Sequence, residues 1–148
     1  MTAAPQVKTV VAAALIRRRS GVPAEMLIAR RTQPASVAGM WEFPGGKLEP
    51  GETLQQGVLR ELDEELGVVG DIGEELTGAG ERHIPEVGWK LKGDAVMRLF
   101  LGEITAGEPF PLQDHDRLDW APLTDDLLDY PWIPADRPIV VELLRRFA

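Results

Sequence analysis

Cysteine is absent from the 148 residues, so neither a disulfide framework nor thiolate chemistry is available. Histidine occurs only as His83 and His115, too few for a histidine metal centre by themselves. Cations are in short supply, with 16 Lys and Arg against 24 Asp and Glu and a net charge of −8. Such a chain repels polyanions unless cations bridge them, which argues against a nucleic acid polymer as partner. No apolar run approaches the ~20 residues that span a bilayer. The stretch from Val10 to Ile16 is short, and Arg17, Arg18 and Arg19 follow it, the reverse of signal-peptide order. The expectation is a cytoplasmic chain with no membrane partner. No Ser-His-Asp or Cys-His constellation stands out, so the chemistry has to come from elsewhere.

Length allows one domain, residues 1–148, with room for a real core. Apolar patterning predicts strands over Thr9 to Ile16, Met26 to Ala29, Asp71 to Leu76, Ile84 to Leu91, Ala95 to Ile104 and Leu118 to Ala121. Trp41 to Phe43 reads as a short extended piece. Two helices are expected, Thr53 to Leu66 and Pro138 to Phe147. This order predicts an α/β fold with a mixed sheet between helices. Trp89, Trp120 and Trp132 are packing residues first, and monomer and homodimer both stay open.

What the chain has in abundance is carboxylate on one helix. Between Gly46 and Val68 runs the pattern G-x5-E-x7-R-E-U-x-E-E-x-G-U, with U aliphatic. Gly46, Glu52, Arg60, Glu61, Leu62, Glu64, Glu65, Gly67 and Val68 fill every fixed position. Leu54, Val58, Leu62 and Leu66 recur every fourth residue, which is helical spacing. At about 100° per residue, Glu61, Glu64 and Glu65 fall in one arc beside that apolar stripe. Glu61 and Glu65 repel at i,i+4, and carboxylates near a helix C-terminus oppose its dipole. An arrangement this unfavourable points to a bound cation. Three hard oxygen donors suit Mg²⁺ or Mn²⁺ rather than zinc.

The pattern resembles the Nudix box, and the resemblance covers nearly the whole chain. It implies the Nudix α/β/α sandwich and hydrolysis of phosphoric anhydride bonds. It also implies that Glu61, Glu64 and Glu65 hold divalent metal, with the Gly45 carbonyl completing the coordination. Glu61 further helps to position or deprotonate water. The resemblance gives Glu52 and Arg60 a mainly architectural role, the arginine orienting box carboxylates and the glutamate supporting the loop.

Four features outside the box resemble MutT-type nucleoside triphosphate pyrophosphohydrolases. The lead-in Trp41-Glu42-Phe43-Pro44-Gly45-Gly46-Lys47 implies that Phe43 lines the base pocket and Lys47 touches phosphate. Arg31 matches an arginine beside the nucleotide. Asp114 matches an acidic loop residue that binds metal or acts as general base, with Asp116 as competitor. Pro134-Ala135-Asp136 resembles cytidine-type relatives, where a carboxylate accepts from the exocyclic amine; the same Asp136 could cap the closing helix. The implied substrates are 8-oxo-dGTP or CTP, dCTP and their modified forms, with a slight lean to cytidine. ADP-ribose or nucleotide-sugar cleavage is the enzyme alternative, for which Pro85 is a weak marker. A nonenzymatic nucleotide sensor is the other, although such proteins typically have eroded box glutamates. The segment Gly78 to Gly93 is a candidate substrate lid.

Overall fold

The structure is a computed structural model that describes residues 8–147. Its centre is β1 (Lys8–Arg19), whose residues Val11 to Ile16 are buried on both faces. Two-residue periodicity divides them. Ala12, Ala14 and Ile16 face one core with Met26, Ile28, Ile139, Val140 and Leu143. Val11, Ala13 and Leu15 face a second core with Val58, Leu62, Leu66 and Phe100. The first core carries α2 (Arg137–Arg146), and the second carries α1 (Leu54–Leu66). The expected α/β/α layering results, with small alanines letting both helices approach the central strand.

Among the described residues the sheet has nine strands. β1 runs parallel to β8 (Ala95–Ala106) and antiparallel to β2 (Val22–Arg31), so the sheet is mixed. β2 follows β1 only as far as Leu15↔Leu27. Beyond that point the two diverge, and two short strands fill the fork. β3 (Trp41–Glu42) pairs with β2, and β4 (Gly45–Lys47) pairs with β1. Residues 41–47 thus lie inside the sheet, directly beside α1. The outer edge of β2 pairs with β9 (His115–Pro122), and β5 (Val69–Glu75) pairs with β8.

α1 begins where the sequence says it should. Thr53 accepts from the Gln56 N–H, and the Gln56 side chain accepts from the Thr53 N–H, a reciprocal capping box. Gly67 ends the helix in the left-handed conformation at φ 70°.

The expected strand Ile84 to Leu91 is instead a hairpin. β6 (His83–Ile84) turns through Pro85 and Glu86 into β7 (Gly88–Lys90). Proline pre-sets the turn, and Glu86 at φ 64° and Gly88 at φ 130° complete it. Residues 83–90 of the candidate lid therefore extend the sheet beside β8, with Pro85 in the turn. Strand β4 and the 3-10 turns Asp125–Asp129 and Pro134–Asp136 were not expected from the sequence. Among the described residues no helix is long and apolar enough to cross a membrane.

Loss of the cap is measurable. Thr53→Ala is expected to lower unfolding free energy by about 1 kcal/mol, with Thr53→Ser close to wild type. Urea denaturation checks this, and equal stability of the alanine variant would show that the box carries no weight.

Candidate active site

Arg60 is the hub of the box. Its Nε donates to Glu52 Oε2 at 2.8 Å and its Nη2 to Glu52 Oε1 at 3.0 Å. Nη2 also donates to the Lys47 carbonyl at 2.9 Å. Nη1 reaches Glu61 Oε1 at 2.8 Å and Glu64 Oε2 at 3.2 Å. One guanidinium therefore ties the 47–52 loop to two glutamates of α1. Glu52 closes the loop by accepting from the Glu49 N–H at 2.8 Å. The Arg60 hydrogen bonds hold the Glu52 carboxyl below the ordinary carboxylate range. These are the contacts of a bracing pair.

Glu61 and Glu65 are buried at 8% and 7% exposure, whereas Glu64 faces solvent. The glycines make that burial possible. A Cβ on Gly46 would lie 2.5 Å from the Glu61 carboxyl, and one on Gly45 would lie 2.2 Å from the Val11 carbonyl oxygen. The Gly45 N–H donates to Glu65 Oε2 at 3.3 Å. Burial pushes the Glu65 carboxyl up to about 8, opposed in part by His115 and reinforced by Glu61 and Glu42. Burial also raises Glu61, against the pull of Arg60. The pair is short of positive charge.

A second group completes the site. Arg31 Nη1 donates to Glu42 Oε2 at 2.9 Å, and His115 Nε2 stands 3.2 Å from the same oxygen. His115 Nδ1 lies 4.0 Å from Glu65 Oε2. Burial disfavours the charged imidazole, but Glu42 and Glu65 outweigh it and raise the His115 pKa. Neither Glu42 nor His115 was singled out from the sequence. Glu42 lies inside the quoted lead-in and His115 beside Asp114, which was the only local signal. Their meeting depends on strand register: Ala29↔Glu42 and Arg31↔His115 are pairs across β2.

The other expected site residues are less uniform. Asp114, at φ 55°, turns its side chain to Gln33 and not to the box carboxylates. Asp116 forms a surface ion pair with Arg30 at 2.9 Å. Phe43 is a core residue, 1% exposed and 5.4 Å from the Trp132 ring, because it is enclosed in the sheet fork. Lys47 is exposed, and its carbonyl serves Arg60. Asp136 is 3% exposed and makes no side-chain cap, since its backbone is already helical. Burial, with Glu42 nearby, pushes its carboxyl up to about 8 against the Phe43 N–H. Its Oδ2 has no hydrogen-bond partner.

A divalent cation fits this chemistry. Two desolvated carboxylates need positive charge, and their oxygens are the donors that Mg²⁺ and Mn²⁺ prefer. Among the described residues no three Asp, Glu or His side chains stand ready as a ligand set. Arg60 holds Glu61 and Glu64 instead, so ligation requires those side chains to turn from the guanidinium.

Comparison with known proteins agrees with the geometry. The chain matches the NUDIX domain over residues 7–143. It is 36% identical to the putative 8-oxo-dGTP diphosphatase 2 of Mycobacterium tuberculosis, over 92% of this chain and 87% of that protein. It is 35% identical to the CTP pyrophosphohydrolase of Escherichia coli, over 88% of this chain and 87% of that one. The crystal structure of the MutT protein from Methanosarcina mazei superposes with a TM-score of 0.72 at 25% identity, covering 94% of each chain. The match runs through the sheet, the fork and the glutamate helix, and by it the chain belongs to the Nudix family of hydrolases that cleave phosphoric anhydride bonds.

Proposed function

We propose that the protein hydrolyses a nucleoside triphosphate to the monophosphate and pyrophosphate, using Mg²⁺, with Mn²⁺ able to substitute. The observation that carries this reading is the buried, charge-deficient pair Glu61 and Glu65 against the Gly45–Gly46 strand. Glu61, Glu64 and Glu65 hold the metal, with the Gly45 carbonyl as a further ligand. Bound there, the cation neutralises phosphate oxygens and lowers the pKa of a water molecule. Arg60 and Glu52 keep the glutamates on their turn of helix. Arg31 and Lys47 meet phosphate, and Asp114 serves as the outer acid or base once its loop engages substrate.

The nucleoside end has a place as well. A cavity of about 480 Å³ is lined by Val37, Met40, Leu91 and Ile133, with Arg82 and Lys92 at its sides. Pro134 and Ala135 also line it, and Asp136 follows them directly. With its carboxyl pushed up to about 8 by burial, Asp136 in its protonated form offers one donor and one acceptor. That pair complements N3 and the amine of cytosine, and equally O6 and N1–H of guanine. The carboxylic acid form serves either base, and the resemblance of Pro134-Ala135-Asp136 to cytidine-type relatives keeps a slight lean toward cytidine. The substrates proposed are 8-oxo-dGTP and the cytidine triphosphates, handled in the cytoplasm as part of nucleotide-pool sanitation. The Glu42–Arg31 and Arg60 networks are fully occupied within one chain, which is consistent with a site that works in a monomer or in each half of a homodimer.

Pyrophosphate release with Mg²⁺ tests the reading, comparing 8-oxo-dGTP, dGTP, dCTP, CTP and ADP-ribose by kcat/KM. Turnover of a triphosphate supports it. Turnover of ADP-ribose alone, followed through its phosphomonoester products, contradicts it. Glu65→Gln is expected to lower kcat by about 100-fold or more with an unchanged circular dichroism spectrum. Near-normal turnover would remove Glu65 from the metal site.

Asp136 also gives a pH signature. A carboxyl raised in the folded state stabilises fully below its unfolded pKa, and that stability is lost as pH rises through about 8. Asp136→Asn is therefore expected to gain stability relative to wild type between acidic pH and pH 8, on the order of a few kcal/mol. Thermal melting across that range checks it. Parallel curves for the two proteins would mean that Asp136 is ionised when folded.

A further inference from the structure

A polar line runs from the end of β2 to the metal-facing side of α1. Arg31 Nη1 and His115 Nε2 meet on one oxygen of Glu42, at 2.9 and 3.2 Å. The imidazole then presents Nδ1 toward Glu65 Oε2 at 4.0 Å. Its side chain is wholly inaccessible to solvent, and Nδ1 is buried without a hydrogen-bond partner. A carboxylate oxygen accepts, so Nε2–H is the donor in the contact with Glu42. Nδ1 is the ring atom that faces Glu65, and a hydrogen bond between them needs a proton on one of the two, since a bare ring nitrogen and a carboxylate both accept.

The backbone holds the same two residues in register. The pairing of β2 with β9 shifts between Arg30 and Arg31, from Arg30↔Arg117 to Arg31↔His115. The irregularity accommodates Asp116, which pairs with Arg30 at the surface, while His115 stays buried. Just before it, the strap ahead of β9 caps the last turn of α1. The Leu112 N–H donates to the Glu65 carbonyl at 3.0 Å, and the Phe110 N–H donates to the Leu66 carbonyl at 3.1 Å. These carbonyls have no partner within the helix. Only Gln113 and Asp114 separate the clamp on the Glu65 backbone from the ring that faces its side chain.

We propose that His115 is a positioning residue, which sets the Glu65 carboxylate against the Arg31–Glu42 pair and so aligns the metal-holding side of the site with its nucleotide-facing side. The proposal rests on the reading of Glu65 as a metal ligand and of Arg31 as a nucleotide contact. His115 touches neither phosphate nor base. It acts by fixing two carboxylates that repel one another and would otherwise turn independently. Partners of this kind behind metal ligands are worth about 10–100-fold in metal affinity or activity.

The test compares full-length wild type, His115→Leu and His115→Gln. Steady-state kinetics are run on the preferred triphosphate, and Mn²⁺ binding is followed by electron paramagnetic resonance without nucleotide. The leucine variant fills the space and removes both nitrogens. It is expected to lose about 10–100-fold in kcat and in Mn²⁺ affinity, with KM changed by less than about 3-fold. The glutamine amide can still donate toward Glu42, and it is expected to restore most of both losses. A leucine variant within two-fold of wild type on both measures overturns the proposal, as does a glutamine variant impaired as much as leucine. If the leucine protein does not fold, Glu42→Gln breaks the line at its other contact and is read by the same two measures. Absence of pyrophosphate release by wild type would defeat the substrate reading alone, because the Mn²⁺ measurement still decides the role of His115.

Discussion

Glu61 and Glu65 sit one turn apart on α1, both taken out of water, with one guanidinium and one backbone N–H as their nearest compensation. Most of the surrounding structure follows from accommodating that pair. Gly46 has no side chain because the Glu61 carboxyl occupies the space a Cβ would take. Arg60 spends all three of its nitrogens on the loop and the helix, tying Glu61 to Glu52 and the Lys47 carbonyl. Burial raises both glutamates toward the neutral form. A site in this condition binds a proton or a cation, and the divalent cation brings the larger charge.

The sheet fork supplies the floor. Where β1 and β2 part, residues 41–47 enter as two short strands and bring Glu42, Gly45 and Gly46 up to α1. This places the two glycines on paired backbone rather than in a free loop, and paired backbone holds a ligand to tighter tolerance. The same fork encloses Phe43 and Trp132 in the opposite core. Asp136 enters from the α2 side and its carboxyl is hydrogen-bonded by the Phe43 backbone, next to Glu42. Glu42 and Glu65, from separate elements, thus flank His115, and Arg31 shares the Glu42 oxygen with it.

The box was legible because its logic is local. Helix spacing, the Thr53 start and the Gly67 stop all lie within one segment, and the structure places each as expected. The Arg60–Glu52 brace follows from the same stretch. What escaped the sequence is what depends on register between distant strands. His115 and Glu42 lie 73 residues apart and meet only because both neighbour β2. Strand β4 is three residues long with two glycines, too short for any periodicity to register. The Ile84 to Leu91 stretch reads as one strand, yet Pro85 and Gly88 fold it back on itself. The electrostatics were also hidden: an aspartate in a sequence reads as an ordinary anion, and only the fold shows the burial that raises the Asp136 carboxyl. Phe43 is enclosed by its neighbours in this chain, which a motif match alone does not reveal.

The central claim is that the buried glutamates form a site for a divalent cation. Thermal unfolding near neutral pH, followed against increasing MgCl₂ at constant ionic strength, tests it most directly. A ligand that binds the folded state alone raises the melting temperature in step with the logarithm of its concentration. Wild type is expected to show that rise with Mg²⁺ and Mn²⁺, and a protein carrying both Glu61→Gln and Glu65→Gln is expected to lose it. An unchanged melting temperature across the series, or the same rise in the double variant, would contradict the account.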